Sequence, residues 1–308
     1  MTIPVLRPPG PLLVFGGPYS NLQALTALKA AADGLGLPPS SVLCTGDVVA
    51  YAADPGPCVD FVRAWGIPVL AGNVEEQLGA GADDCGCGYD EGTACDALAA
   101  RWYRHADAAM TGAMRAWMRA LPHRMVVEMA GRRLAVLHGA ASAINRFLFP
   151  SAADAELAAE LDLAAAQVGG CDGVIAGHSG MPFTRVLPDG RLWHNAGVIG
   201  MPPDDGTPRV WYALLTPTVQ GLRIEHRPLT YDHAAAAAAM RAARLPEGYA
   251  ACLETGLWPT EDTLPPAERL IRGQRRDPDP QDWPRKGTPR PVCPDAASPF
   301  PRWTGVSR

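Results

Sequence analysis

Four polar residues of ligand type stand beside glycines at the ends of apolar runs. Asp47 follows Val42-Leu43-Cys44-Thr45-Gly46, Asn73 closes Ile67 to Gly72, His138 precedes Gly139, and His178 follows Gly173 to Gly177. Taken singly, a Gly-Asp caps a turn and a lone histidine is a satisfied polar side chain. Taken together, two imidazoles, one carboxylate and one amide oxygen form a mixed nitrogen and oxygen set suited to Zn, Mn or Fe. The flanking glycines let backbone and ligand approach closely.

The elements that position these residues alternate. Pro11 to Gly17, Ser41 to Asp47 and Ile67 to Asn73 read as strands, with helices from Ser20 to Ala32 and Cys58 to Trp65 between them. That alternation predicts an α/β fold with a largely parallel sheet core. The glycine-rich stretch from Gly79 to Gly88 reads as a loop, and the alanine-rich pattern from about Cys95 to Leu121 as a helix. Arg124 to Glu128 and Arg132 to Leu137 form a hairpin about Ala130-Gly131. A helix over Ala152 to Ala166 leads into the strand ending at His178. Phe183 to Leu187 and Arg191 to Asn195 flank a Pro-Asp-Gly turn, and Val210 to Leu215 and Leu222 to His226 add two strands, which predicts a second sheet packed on the first. The expected domain spans 11–272, with a cysteine-rich insertion at about 79–95. From 273 to 308 the sequence is rich in Pro and Arg and reads as an irregular tail.

Composition narrows the function. The 308 residues are 47% hydrophobic, enough for a full core, and the net charge of −5 gives no general attraction to nucleic acid or anionic membrane. No segment reaches about 18 uninterrupted apolar residues and the first residues lack a leader pattern, so a cytoplasmic location is expected. Eight cysteines in such a chain suggest free thiols, with a minority in metal or redox chemistry.

The order Gly46-Asp47, Gly72-Asn73, His138-Gly139, Gly177-His178 and Asn195-Ala196-Gly197 resembles the calcineurin-like metallophosphoesterases, in particular their compact bacterial YfcE-like branch. The resemblance runs from about Leu12 to Leu229, and includes Tyr51 to Pro55 and Phe147 to Pro150. It implies two mixed β-sheets packed as a sandwich flanked by helices, and a metal held by Asp47, Asn73, His138 and His178. It also implies a small phosphorylated molecule as substrate, with Asp47 and His138 in catalysis.

The other half of the family's two-metal site is altered. Where the family's first strand ends in Asp-x-His-Gly-Asn, this chain has Gly17-Pro18-Tyr19-Ser20-Asn21, and where the family has Gly-His-x-His it has Gly177-His178-Ser179-Gly180. Bridging Asp47 remains, so one divalent ion is expected. The family's histidine near the leaving group is Val74 here. Glu75 and Glu76 follow and could replace it, or could simply open a helix. Tyr19 and Asn21 are candidates for phosphate contacts, with Arg146 and Arg185 as sources of positive charge. Cys85, Cys87 and Cys95 could hold a second metal or form a redox pair. His194 is expected to pack within its hairpin; His105, His123, His226 and His233 show no pattern. The resemblance thus leaves three functions open: a one-metal phosphoesterase, a non-catalytic binding or scaffold protein, and a different metal-dependent reaction involving the cysteine loop.

Overall fold

The computed structural model describes residues 3–89 and 92–286, and shows two mixed sheets packed face to face with helices on both outer faces. One sheet has the order β1 (Val5–Leu6), β4 (Met125–Met129), β5 (Arg132–Val136), β6 (Gly173–Ala176), β8 (Leu192–Ala196), β7 (Pro182–Val186). The other runs β11 (Gln281–Pro284), β10 (Gly221–Leu229), β9 (Val210–Pro217), β2 (Leu12–Phe15), β3 (Val42–Cys44). Strands β2 and β3 are parallel, as are β5, β6 and β8; the hairpins β4–β5, β7–β8 and β9–β10 are antiparallel.

Side-chain alternation divides the core. Leu12 and Val14 of β2 point between the sheets, where they meet Val127, Val136, Ile175, Leu192, Ala213 and Leu215. Leu13 and Phe15 point the other way, into a layer with Leu25 and Leu28 of α1 (Leu22–Gly34) and Val59 and Val62 of α2 (Pro55–Trp65). On the far side, Val174, Ala176 and Trp193 pack against Leu157, Leu161 and Ala164 of α6 (Asp154–Val168). Every strand adjoining the site therefore has both faces buried, which explains its continuous apolar sequence.

Four readings of the sequence are corrected. Ile67 to Asn73 is not a strand: Val69 makes one isolated bridge to Cys44. Pro68 has no N–H to donate, and the Ala71 amide goes to the Pro122 carbonyl instead. Gly79 and Ala80 belong to a helix, α3 (Asn73–Ala80), which ends in left-handed Gly81. The expected single helix after Cys95 is two, α4 (Ala94–Ala109) and α5 (Gly112–Ala120), because Met110 is extended and Thr111 starts afresh by accepting the Met114 amide. The tail is not wholly irregular, since β11 extends the second sheet and buries Trp283 between the sheets beneath the Arg132 guanidinium. Residues 287–308 of the expected tail lie outside the described residues. The alanine run after Asp232 adds α7 (His233–Ala242), paired with α8 (Glu247–Thr255), and α9 (Pro266–Leu270) follows. Among the described residues, no helix is long and apolar enough to cross a membrane.

Candidate metal centre

The four expected donors meet at the carboxyl-terminal edges of both sheets. Asp47 lies three residues beyond β3, His138 two beyond β5 and His178 two beyond β6, while Asn73 opens α3. Strands β5 and β6 are paired neighbours, so their two histidines emerge side by side; β3 delivers Asp47 from the opposite sheet. All four side chains are buried. Asp47 and His178 have φ of 55° and 64°, a left-handed conformation that costs a non-glycine residue about 1–3 kcal/mol and is tolerated where the surroundings enforce it. Gly46, at φ 104°, allows the chains to approach, because a Cβ there would sit 2.7 Å from the Gly72 nitrogen and 2.8 Å from His138 Nδ1.

His138 Nε2 is the hub. It lies 3.1 Å from Asn73 Oδ1, 3.2 Å from His178 Nδ1 and 3.2 Å from Asp47 Oδ2. Its other nitrogen, Nδ1, donates to the Thr45 carbonyl at 2.7 Å, so the neutral ring turns a bare lone pair toward the other three donors. The Asn73 amide is oriented by its Nδ2, which donates to the Cys85 carbonyl at 2.9 Å. With His138 neutral, lone pairs converge on lone pairs, an arrangement that favours a cation. A tetrahedral ion with bonds of about 2.0–2.1 Å separates its ligands by about 3.3 Å, close to the three distances from His138 Nε2, and the donor atoms of Asp47, His138 and His178 all lie within 4.8 Å of one another. The donor set fits one divalent transition ion.

The carboxylate that would attract a cation also draws a proton toward His138. Burial alone would raise the Asp47 carboxyl, but the charge and hydrogen bond of His138, with His178 behind, hold it below the usual range. Burial opposes charge on His138, yet Asp47 keeps its affinity for a proton above normal. Burial and then His138 push His178 down to about 3. One imidazole thus stays neutral while the other leans toward positive charge beside the carboxylate.

The remaining candidates separate. Glu75 is fully buried, and its carboxylate accepts from the backbone amides of Asp47 at 2.7 Å, Gly72 at 2.9 Å and Val49 at 3.4 Å. It braces the turn bearing Asp47. Asn21 caps α1 through the Ala24 amide and donates to Gly200 and Tyr231. Arg146 pairs with Glu156 and Glu160, and Arg185 with Asp154. Cys85 and Cys87 are joined as a disulfide, while Cys95 lies elsewhere against Thr260, so the three sulfurs do not converge. His194 pairs across its hairpin with Thr184.

Tyr19 lies beside the centre, and its ring fills space above Gly17: a Cβ on Gly17 would come within 2.5 Å of Tyr19 Cζ. Trp258 lies against Gly180, where a Cβ would meet the indole at 3.3 Å. Of the three positions that differ from the family's ligand pattern, Gly17 and Gly180 are thus covered by aromatic rings, and the third is Tyr19 itself. Sequence reading gave no role to Trp258, Tyr249 or Phe147, although the Phe147 ring lies 4.2 Å from the His178 ring, tilted by 31°. Asn195 was quoted only as motif; it donates to the Gly177 carbonyl and to Ser179 Oγ, securing the loop of His178.

This architecture is the calcineurin-like metallophosphoesterase fold. The chain is similar to a metallophosphoesterase from Sphaerobacter thermophilus at 21% identity, covering 80% of this chain and 99% of that one with a TM-score of 0.58. It is similar at 16% identity to a hypothetical protein from Pyrococcus horikoshii OT3, with the same coverages and a TM-score of 0.68. Yfce, a phosphoesterase from E. coli, aligns more loosely, at 12% identity over 70% of this chain and 91% of that one, with a TM-score of 0.40. No family model matches the chain, and no curated protein does.

Proposed function

We propose that this protein is a phosphoester hydrolase working with one divalent transition ion, Zn, Mn or Fe, held by Asp47, Asn73, His138 and His178. The observation that carries the reading is the meeting of acceptor atoms around His138 Nε2 at 3.1–3.2 Å, with the Nδ1 proton directed away to Thr45. A bound ion supplies Lewis acidity toward a phosphoryl oxygen and toward water. The chain's own residues do the rest of the positioning. Asp47 provides the anionic ligand, Glu75 fixes the backbone that bears it, and Asn195 fixes the loop that bears His178. Tyr19 faces the adjoining cavity with a phenol that burial, followed by the Asp47 charge, keeps protonated, so it serves as a hydrogen-bond donor to the substrate.

A second reading, binding of a phosphorylated ligand without turnover, is favoured by one observation. Apart from the ligand His178, the cavity wall carries, among the described residues, neither a carboxylate nor an imidazole that could transfer a proton. One experiment separates the two: metal content by elemental analysis, together with phosphoester turnover, for wild type and His138→Ala. The hydrolase reading expects one ion per chain in wild type, none in the variant, and turnover lower by about a thousandfold, the several kcal/mol a Lewis acid contributes. Unchanged turnover in His138→Ala would refute it, and stoichiometric metal with no turnover in wild type would leave the binding reading.

A further inference from the structure

Beside the metal centre lies a cavity walled by Tyr19, Tyr51, Tyr89, Tyr249, Phe147 and Trp258, with His178 and Gly180 at its inner end. Its rings brace one another: Tyr51 meets Tyr19 edge-on at 4.9 Å and Tyr249 at 4.8 Å, and its hydroxyl bonds Tyr89 at 2.8 Å. Phe147 lies parallel to Phe149 and near-parallel to Tyr89. The Trp258 indole is fixed by donation to the Pro202 carbonyl at 2.7 Å. These side chains come from five separate stretches of the chain, and they fill the side of the site from which the family's ligands are missing.

Among the described residues, no Asp, Glu, Lys or Arg lines this cavity, and burial leaves its tyrosines protonated. The neighbouring groove past Tyr89 and Phe147 carries one charge of each sign, Asp262 and Arg269, the latter donating to the Leu264 carbonyl. The cavity measures about 60 Å³, room for about four to six waters, which is close to the bulk of one six-membered ring. An uncharged aromatic slot cannot neutralise an anion but stacks readily on a planar apolar group. Among the described residues lining the cavity, His178 is the one that belongs to a charged centre able to hold an anion.

We infer that the substrate is a phosphoester of a neutral, planar aromatic group, its phosphoryl end at the metal centre and its ring in the slot between Phe147 and Trp258. This rests on the proposed phosphoester chemistry and adds the identity of the organic half.

The test ranks ligands by affinity rather than by rate. Phenyl phosphate, methyl phosphate and 4-carboxyphenyl phosphate are titrated into the metal-loaded full chain, with calorimetry and intrinsic fluorescence as readouts. Phenyl phosphate is expected to bind about tenfold or more tightly than methyl phosphate, as ring stacking allows. The 4-carboxyphenyl ester should lose that advantage, since among the described residues no cation lines the slot itself. Trp258→Ala should bring phenyl phosphate toward methyl phosphate while metal content stays at the wild-type level; the wild-type ranking stands by itself if the variant does not fold. Equal affinity for phenyl and methyl phosphate would overturn the inference. Aromatic preference without turnover would remove the hydrolase reading and keep the slot, whereas turnover without that preference would do the reverse.

Discussion

Opening the Cys85–Cys87 disulfide should weaken metal binding, and the reason lies in how Asn73 is held. Its Oδ1 faces His138 Nε2 at 3.1 Å, while its Nδ2 donates to the Cys85 carbonyl at 2.9 Å and approaches Cys87 Sγ at 3.6 Å. An amide is nearly symmetric in shape, so these acceptors alone determine which end meets the site. A dithiol reductant converts the bridge to two thiols and itself becomes a disulfide. The freed sulfurs then separate, and the loop that presents the Cys85 carbonyl shifts with them. An Asn73 amide released to turn over would offer N–H groups to a cation. Losing a partner that orients a ligand costs about 10- to 100-fold in affinity, equivalent to about 1.4–2.7 kcal/mol. The assay is competition with a chromogenic chelator for oxidised protein, for reduced protein freed of reductant without air, and for the Cys85→Ser, Cys87→Ser double variant. The oxidised form should bind most tightly and the other two should agree. Affinities equal within twofold across all three would refute this account of Asn73.

Two further outcomes test the buried polar groups. His226 and His194 share the Thr184 hydroxyl, at 2.9 and 2.8 Å, and burial pushes His226 down to about 4 from its usual 6.5 and holds His194 well below its usual value. The unfolded chain takes up protons below about 6.5 that the fold refuses, so this stability is fully present above pH 6.5 and is lost as pH falls toward 4. The 2.5-unit gap for His226 corresponds to about 3 kcal/mol. Urea unfolding at pH 8 and pH 4.5 should show it for wild type, and equal slopes for wild type and His226→Gln would rule it out. Glu75→Ala leaves two closely bonded amides, those of Asp47 and Gly72, without acceptors in a buried site, and should destabilise by about 2–6 kcal/mol in the same assay. Glu75→Gln that keeps wild-type stability but loses turnover would instead make Glu75 a proton-transfer group.

The strand ends were legible because their signal is local. Each is an apolar run, buried on both faces, that stops at a glycine beside a donor, and the fold then gathers the donors wherever they lie in sequence. Asn73 was found for the right pattern on the wrong element: Gly72-Asn73 starts a helix, and the preceding run makes a single bridge because Pro68 lacks a donor. Trp283 was missed because four residues holding one large apolar side chain carry no periodicity. Cysteine spacing misled in a similar way, since Cys95 opens a helix that directs it to Thr260 and away from Cys85. The aromatic slot was invisible for a different reason. Trp258 and Tyr249 approach the site from beyond α7, and nothing in their spacing links them to Tyr19 or Phe147.

The slot also explains why the change at the metal centre is more than a deletion. Removing an acid from position 17 and an imidazole from position 180 would leave voids, and protein interiors do not keep voids of that size without cost. Here the Tyr19 ring lies over Gly17 and Trp258 over Gly180, each so close that a Cβ would touch it. Gly17→Asp alone would therefore drive a carboxylate into a phenol, in a residue already at φ 38°. A side chain at position 17 and the Tyr19 ring as it lies here cannot occupy the same space. On the proposed reading the cation site and the apolar slot meet at His178, which belongs to the donor cluster and lines the slot, and that junction would give the centre an organic specificity its four donors could not supply.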